Sequence, residues 1–189
     1  MIWLWVLIGI VVVLLVVVWF GYNKLVRLRN EANAGWGNIE VQLERRADLI
    51  PNLVEAVKGY AAHERGVFDE VTKARTALQQ AGSNPAAAAA ADAGVTAALG
   101  RLFAVAEAYP DLKASQNFLS LQDDLADTED KISAARRYYN ATVMAYNTDM
   151  QSFPWLVFAK TFGFREREFF AAEGDTDVPQ VSFAPSSAT

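Results

Sequence analysis

The first 20 residues constrain this chain more than any other stretch. From Ile2 to Phe20 every residue except Gly9 is hydrophobic, and the first charged side chain is that of Lys24. An α-helix of about 20 apolar residues crosses the roughly 30 Å hydrocarbon core of a bilayer. Aromatic residues, which are enriched at both faces of a membrane, flank this run on both sides: Trp3, Trp5, Trp19, Phe20 and Tyr22. We predict a transmembrane helix in residues 1–22.

The apolar run is typical of an anchor that stays attached. A cleaved signal peptide has a basic start, a shorter apolar region and a small-residue cleavage site, whereas this chain begins MIWLW and leaves the run through WFGYNK. The chain has no cysteine, which excludes a lipid-modified cysteine, disulfides and thiolate chemistry. We therefore expect an uncleaved, single-pass signal anchor.

Charges near the run predict its orientation. Lys24, Arg27 and Arg29 follow the run, and only the α-amino group precedes it. Because cytoplasmic flanks carry an excess of Lys and Arg, we expect the remaining domain to face the cytoplasm. The formal net charge of −5 argues against nucleic acid as a partner, since proteins that bind nucleic acid present basic surfaces.

Beyond the run, apolar residues recur every three or four positions, as in amphipathic helices. One series covers residues 25–43, a second 50–78, and the clearest 118–150. The alanine-rich stretch 85–108 predicts a further helix because alanine is the best helix former, and Asp111 is a suitable cap for the last helix. We predict an all-α fold, in which the N-terminal transmembrane helix is followed by an antiparallel up-and-down four-helix bundle.

Pro51 decides where the first two bundle helices divide. Proline inside a helix loses a hydrogen bond and costs about 3 kcal/mol or more, but it is tolerated in a first turn. Asp48 is a suitable N-cap for a helix that starts at Leu49. We favour a helix end, a tight corner and a new helix start within RRADLIPNLV; a continuous, kinked helix is the alternative.

The number of passes predicts where the chain returns to the membrane. After four bundle helices the chain is back at the anchored end, which places FPWLVFAKTFGF, residues 153–164, near the bilayer surface. The predicted last helix is longer than the predicted first, so we expect an overhang or a bend. The predicted domains are an anchor, 1–22, a bundle, 23–170, and a disordered tail, 171–189.

Residues 153–167 predict either a segment at the membrane interface or one buried against the bundle. An interfacial segment places rings at the acyl boundary and cations among the head groups. Aromatic residues dominate both settings, so both interpretations stay open. The side chains concerned are Phe153, Trp155, Phe158, Phe162 and Phe164, with Lys160, Arg165 and Arg167.

Several stretches together resemble the LemA family of bacterial membrane proteins. They are YNKLVRLRN after the apolar run, VQLERRADLIPNLVEAVKGYAAHE, ARRYYNATVMAYN, and FPWLVFAKTFGF. The resemblance covers about residues 1–170. It implies a single-span anchor in the bacterial inner membrane that carries a four-helix up-and-down bundle. It implies no enzymatic activity, and the family's associations are with membrane organisation, including magnetosome-membrane relatives.

Few residues suit catalysis or metal binding. His63 is the only histidine, and the sequence around it has neither the second histidine of a zinc hydrolase nor the Glu-x-x-His pairs of a di-iron bundle. We expect His63 to line the bundle or to lie on its surface. No catalytic, cofactor-binding or metal-binding residue is predicted.

The remaining polar groups predict structure more readily than chemistry. Arg45 and Arg46 are expected to cap a helix end and form salt bridges, although they could clamp a phosphate or lipid head group. Their natural partners are the acidic residues Asp123, Asp124, Asp127, Glu129 and Asp130, which we expect to form a solvated face rather than a cation site. Cross-helix hydrogen bonds or exposure are expected for Asn23, Asn30, Asn33, Asn38, Asn140 and Asn147.

These observations predict a non-enzymatic scaffold or interaction module at the membrane. Its expected partners are the bilayer and other membrane proteins or further copies of the chain. The alternative is a peripheral lipid-binding or membrane-organising protein that acts through residues 153–167. An enzyme needs a nucleophile, a base and oxyanion donors brought together, and the sequence shows no such set.

Overall fold

The computed structural model describes residues 1–171, and these form helices and connections without any strand. The predicted all-α class is confirmed. The helices are α1 (Ile2–Lys58), α2 (Arg65–Gln80), α3 (Pro85–Glu107), α4 (Pro110–Lys113), α5 (Gln116–Gln151) and α6 (Trp155–Phe158). Most of the tail predicted as disordered lies outside the described residues.

Helix α1 joins the apolar run to the bundle without a break. It contains 57 residues and is therefore about 86 Å long at 1.5 Å per residue. Helix α5 runs antiparallel to α1, as two ion pairs show: Lys24 binds Asp149 at 2.7 Å, and Arg45 lies 3.5 Å from Asp124. Helix α2 folds back on α1, and α3 packs on α2.

The predicted corner at Pro51 is wrong, since α1 continues through this residue to Lys58. Proline has no N–H, so it leaves the carbonyl four residues earlier without its helical partner. That carbonyl belongs to Ala47, and it accepts a hydrogen bond from Arg75 Nε of α2 at 2.7 Å. A donor from the neighbouring helix thus replaces the lost bond, and the continuous-helix alternative holds.

The actual corner lies between α1 and α2, in the connection from Gly59 to Glu64. Because α1 extends to Lys58, its part beyond Phe20 is about 57 Å long, against about 54 Å for α5. The mismatch expected from the sequence therefore disappears, and no overhang is needed. The second predicted helix shortens to α2, which begins at Arg65.

The later helices begin and end close to the predicted positions. Pro85 starts α3, and the side chain of Asn84 caps it by accepting a hydrogen bond from the N–H of Ala87 at 2.7 Å. Asp111 does not cap α5, because it lies inside the short helix α4 and Ser115 occupies the N-cap position of α5. The apolar series predicted in α5 faces the interior, from Phe118 to Met150.

The buried side chains form two separate clusters. The larger, here called the distal core, includes Ile50 and Leu53 of α1, Leu102 of α3 and Val143 of α5. The smaller lies at the end nearest the apolar run and is here called the span-proximal cluster; it consists of Leu25, Leu28, Tyr146, Met150, Ala159 and Phe164. The bundle therefore has one core of its own and a second cluster beside the run.

Two of the described helices, α1 and α3, are long and apolar enough to cross a membrane. They differ in burial. None of the residues in the apolar window of α1 is buried, whereas α3 buries Val95, Leu99 and Leu102 in the distal core. The exposed window makes the N-terminal part of α1 the candidate membrane-spanning helix, and α3 belongs to the bundle.

Candidate membrane-interface site

The segment that follows α5 lies against the end of the apolar run. The indole of Trp155 packs on Gly21, so closely that a Cβ at this glycine would come within 1.6 Å of the ring. The ring of Tyr22 meets those of Phe162 and Phe164 edge to face, with centroids 5.7 and 5.5 Å apart. These contacts position residues 155–164 beside the last turn of the run.

Part of this segment is buried, and part is left exposed. Ala159 and Phe164 enter the span-proximal cluster, and Trp155 packs against it. In contrast, Phe153, Leu156 and Val157 are 89, 58 and 62% exposed. A globular surface rarely collects large apolar side chains into one patch unless something covers it. Part of the segment is therefore buried against the bundle, as one of the two predicted settings requires, and the remaining apolar side chains are exposed.

Cations surround the segment, as the sequence predicted. Lys160 and Arg165 are exposed, and neither forms an ion pair with residues 1–171. The guanidinium of Arg29 lies over the ring of Phe164, 5.4 Å from its centroid. Arg167 differs from the prediction, because its guanidinium donates to the side-chain oxygen of Asn33 in α1.

Two asparagines of α5 hold the chain that follows the segment. The amide of Asn147 both donates to the carbonyl of Arg167 and accepts from its N–H, at 2.9 and 3.0 Å. Asn140 makes the same pair of bonds with the backbone of Phe170, at 3.1 and 2.9 Å. Their seven-residue spacing places both amides on one face of α5. Both amides thus bind the backbone of the non-helical chain after α6, and not another helix as the sequence predicted.

The buried charges lie far from this site, in the distal core. Arg46 is only 4% exposed. Its guanidinium donates to Asp92 at 2.7 Å and to Thr96 at 2.9 Å, both in α3, and lies 2.8 Å from a carboxylate oxygen of Glu129 in α5. Burial raises the pKa of Asp92, although the charge of Arg46 opposes the shift. The network ties three helices together.

The outcome for the predicted arginine pair is mixed. Arg46 does form a salt bridge with Glu129, as predicted, but neither arginine caps a helix end, because both lie inside α1. Arg45 lies on the surface, 3.5 and 3.7 Å from Asp124 and Asp127. A hydrogen bond from Lys131 lowers the pKa of Asp127. The partner of Arg46 that was not predicted is Asp92. Its position as an isolated aspartate in an alanine-rich helix was the signal that could have revealed it.

His63 lies exposed in the connection between α1 and α2. Within the part of the chain that the structure describes, no group of three or more His, Asp or Glu side chains is arranged to hold a metal ion. The chemical features that stand out are therefore the apolar patch and its cations, which suit contact with a bilayer.

The sequence pattern of the LemA family matches residues 35–183. The chain belongs to the LemA family. The matched part of this LemA-family protein includes most of the bundle and begins within α1, after the apolar run. The resemblance noted in the sequence is thereby confirmed.

Proteins similar to this chain include two that carry the name magnetosome protein and one that carries the name LemA. Magnetosome protein MamQ 2 of Paramagnetospirillum magneticum is 29% identical over 186 residues, which cover 85% of this chain and 68% of the relative. Magnetosome protein MamQ of Magnetospirillum gryphiswaldense is 28% identical with the same coverage. Protein LemA of Metamycoplasma hominis is 26% identical over 131 residues, 69% of this chain and 60% of the relative. Together with the apolar helix, these relatives indicate membrane association.

Proposed function

We propose that this LemA-family protein is a non-enzymatic scaffold, anchored in the bacterial inner membrane, that presents its helical bundle to other membrane proteins or to further copies of itself. The observation that carries the proposal is the continuity of α1, which runs from the apolar run into the distal core. No flexible linker separates the anchor from the bundle. The bundle is therefore held at a fixed position and orientation relative to the apolar part of α1.

A fixed orientation favours association between anchored neighbours. An anchor raises the effective concentration of a domain for partners in the same membrane. A rigid connection also reduces the orientational freedom that is lost on binding. Relatives that carry the name magnetosome protein support a role at a membrane for this chain too.

The scaffold is tested with the full chain, extracted in mild detergent or in native nanodiscs. Sedimentation and cross-linking should recover an oligomer or a stoichiometric complex with another membrane protein. A flexible Gly-Ser tetrapeptide inserted after Asn23 should lower the cross-linking yield while circular dichroism stays unchanged. The same insertion after Gly82, between α2 and α3, is the control because it leaves α1 continuous. A strictly monomeric chain without recurrent cross-links at cellular concentration contradicts the scaffold.

The side of the membrane on which the bundle lies is part of the same proposal. A bundle on the cytoplasmic side is supported by Lys24, Arg27 and Arg29, because cytoplasmic flanks of spanning helices carry an excess of Lys and Arg. A C-terminal tag should then be protected from protease in spheroplasts and digested only after the membrane is permeabilised. Digestion in intact spheroplasts would place the bundle on the outer side, and partners would then be sought in the envelope.

A second candidate function is lipid engagement through residues 153–167, and it is favoured by the exposed apolar patch. Phe153, Leu156 and Val157 project from a segment that is fixed beside the apolar run. If α1 crosses a bilayer, the patch lies at the level of its interface, where apolar side chains are covered by lipid. The protein would then shape or organise the membrane surface around its anchor.

The absence of cysteine makes this function directly measurable. Leu156→Cys and Val157→Cys each introduce a single labelling site in the full chain. Labels at these positions should be quenched by brominated lipids in nanodiscs. Leu119→Cys in α5, also an exposed apolar position, is the control and should not be quenched. Equal quenching at all three positions, or at none, would contradict contact between the segment and lipid.

A further inference from the structure

Two hollows flank the stretch from Phe162 to Phe164. The first is apolar, has a volume of about 700 Å³, and lies between the apolar run and Phe162. Its walls are Leu15, Val18, Trp19, Tyr22, Asn23 and Phe162. From Leu15 to Asn23 it extends about 12 Å along α1. An opening of this length at the end of a spanning helix reaches from the interface into the acyl region.

The second hollow has charged as well as apolar walls and is next to the first along the chain, since Gly163 and Phe164 of its lining directly follow Phe162. It measures about 460 Å³ and is lined by Met150, Lys160, Gly163, Phe164, Arg165 and Glu166. Of its charged groups, Lys160 and Arg165 form no ion pair with the described residues, whereas Gln151 donates a hydrogen bond to Glu166 at 3.1 Å. The lining of this hollow thus carries two cations without an ion pair to residues 1–171 and one carboxylate, so its net charge is positive.

The nearby cations on α1 are already engaged. Lys24 is paired with Asp149 at 2.7 Å, and Arg29 lies over the ring of Phe164. Arg27 lies 3.7 Å from Glu31. Among residues 1–171, the cations that an anion meets at this end of the bundle without an ion pair, a ring contact or a side-chain hydrogen bond are therefore Lys160 and Arg165. Guanidinium and ammonium groups are the usual ligands of phosphate in proteins.

From this arrangement we infer that the two hollows form one site for an anionic phospholipid, whose phosphate binds Lys160 and Arg165 and whose acyl chain lies along Val18, Trp19 and Phe162. The inference rests on the second candidate function, because it requires residues 153–164 to lie at the bilayer. It goes further, since it gives the segment a preference for lipid charge and a discrete binding stoichiometry.

Native mass spectrometry of the full chain, titrated with phosphatidylglycerol or phosphatidylcholine in detergent, tests the site. One phosphatidylglycerol should bind more tightly than any later one, and more tightly than phosphatidylcholine. Each Lys or Arg near an anionic lipid contributes roughly 1 kcal/mol, so Lys160→Gln with Arg165→Gln should weaken the first binding about thirtyfold. Charge-preserving Lys160→Arg with Arg165→Lys should retain most of the affinity.

Matched controls separate a built site from general charge attraction. Lys113→Gln with Arg137→Gln removes the same net charge elsewhere on the bundle, where both side chains are exposed, and should leave the first binding unchanged. Val18→Trp should fill the apolar hollow and weaken binding without changing charge. Val13→Trp, at an exposed position of α1 outside this hollow, should not.

The inference would be overturned by equal loss in both glutamine pairs, by equal binding of the two lipids, or by an unchanged affinity with Val18→Trp. Inorganic phosphate at 10-fold excess should compete poorly; full competition would mean that the acyl chain contributes nothing and would overturn the site as drawn. The labelling experiment distinguishes failure of this lipid site from failure of the second candidate function. Quenched labels with no lipid preference refute this site alone, and unquenched labels refute the contact with lipid on which it rests.

Discussion

The distal core and the span-proximal cluster are built on the same pair of helices, α1 and α5, yet they close their apolar surfaces differently. In the distal core, residues of α2 and α3 cover the apolar surfaces of α1 and α5. Its buried arginine, Arg46, has carboxylate partners in two helices. The span-proximal cluster is covered only by residues 155–164, whose outer side exposes Leu156 and Val157. The first region hides its apolar atoms within the protein, and the second leaves some for another medium to cover.

The largest expected effect is in the distal core. Arg46→Ala leaves Asp92 buried without its main partner, and breaking a buried pair in this way costs about 3–5 kcal/mol. We expect the lower end, because Arg136 also lies close enough to lower the pKa of Asp92. Chemical unfolding followed by circular dichroism in detergent measures the loss. Arg45→Ala is the control and should cost at most about 1 kcal/mol; equal losses would show that burial of Arg46 does not matter.

The next effect is at the span-proximal cluster. Gly21→Leu inserts a side chain where the ring of Trp155 lies, and overpacking of this kind costs about 1–3 kcal/mol. The indole should be displaced, so hydrogen exchange in residues 155–164 should accelerate while the distal core stays protected. Gly9→Leu is matched in chemistry but meets no atom within 4 Å. If exchange in the distal core also accelerated, the two regions would be one cooperative unit.

A smaller effect is expected where the chain leaves the span-proximal cluster. Asn147→Ala removes both hydrogen bonds to the backbone of Arg167, at a local cost of about 1–2 kcal/mol. Amide exchange should increase in residues 165–171 and not in α5. Asn30→Ala, at an exposed position of α1, should change neither. Unchanged exchange in the variant Asn147→Ala would show that the two bonds do not hold this stretch.

The smallest change is expected in the pH dependence of stability, because it is confined to one pH window. Burial raises the pKa of Asp92 above its ordinary value of 3.8, so the folded state binds the proton more tightly than the unfolded state. The free energy of unfolding of the wild type, relative to Asp92→Asn, should therefore fall as pH rises from 3.8 through the raised pKa. Denaturant titrations across this range measure the difference.

Asp127 provides the opposite sign. A hydrogen bond from Lys131 lowers its pKa, so its contribution is present above pH 3.8 and is lost as pH falls through the lowered value. Relative to Asp127→Asn, wild-type stability should thus increase with pH, if only slightly because the group is exposed. Matching slopes for the two aspartates would mean that burial does not govern the titration of Asp92.

The sequence predicted most of the helices because their apolar period is a local property. Leu25, Leu28, Leu121 and Leu125 face the interior as expected. It failed at Pro51 because the group that compensates for proline, Arg75, is 28 residues from Ala47 along the chain. Periodicity cannot show a donor that tertiary packing supplies. The error also produced the expected length mismatch between the first and last bundle helices.

The candidate site was predicted in outline and missed in detail. Counting helix passes was enough to place the aromatic segment at the anchored end. The contact of Trp155 with Gly21 could not be read from either residue, because it depends on how α1 and α6 meet. The roles of Asn140 and Asn147 were missed for a related reason. The sequence shows that a helix carries an asparagine, but not which segment of backbone its amide will bind.

The unbroken α1 also has a mechanical consequence. If α1 crosses a bilayer, its two parts tilt together because no hinge separates them, and spanning helices tilt by about 20° on average. Over the roughly 57 Å of α1 beyond the apolar run, such a tilt displaces the far end of the bundle sideways by about 20 Å. A change in bilayer thickness that alters this tilt would then change the lateral position of the corner at His63 over the membrane.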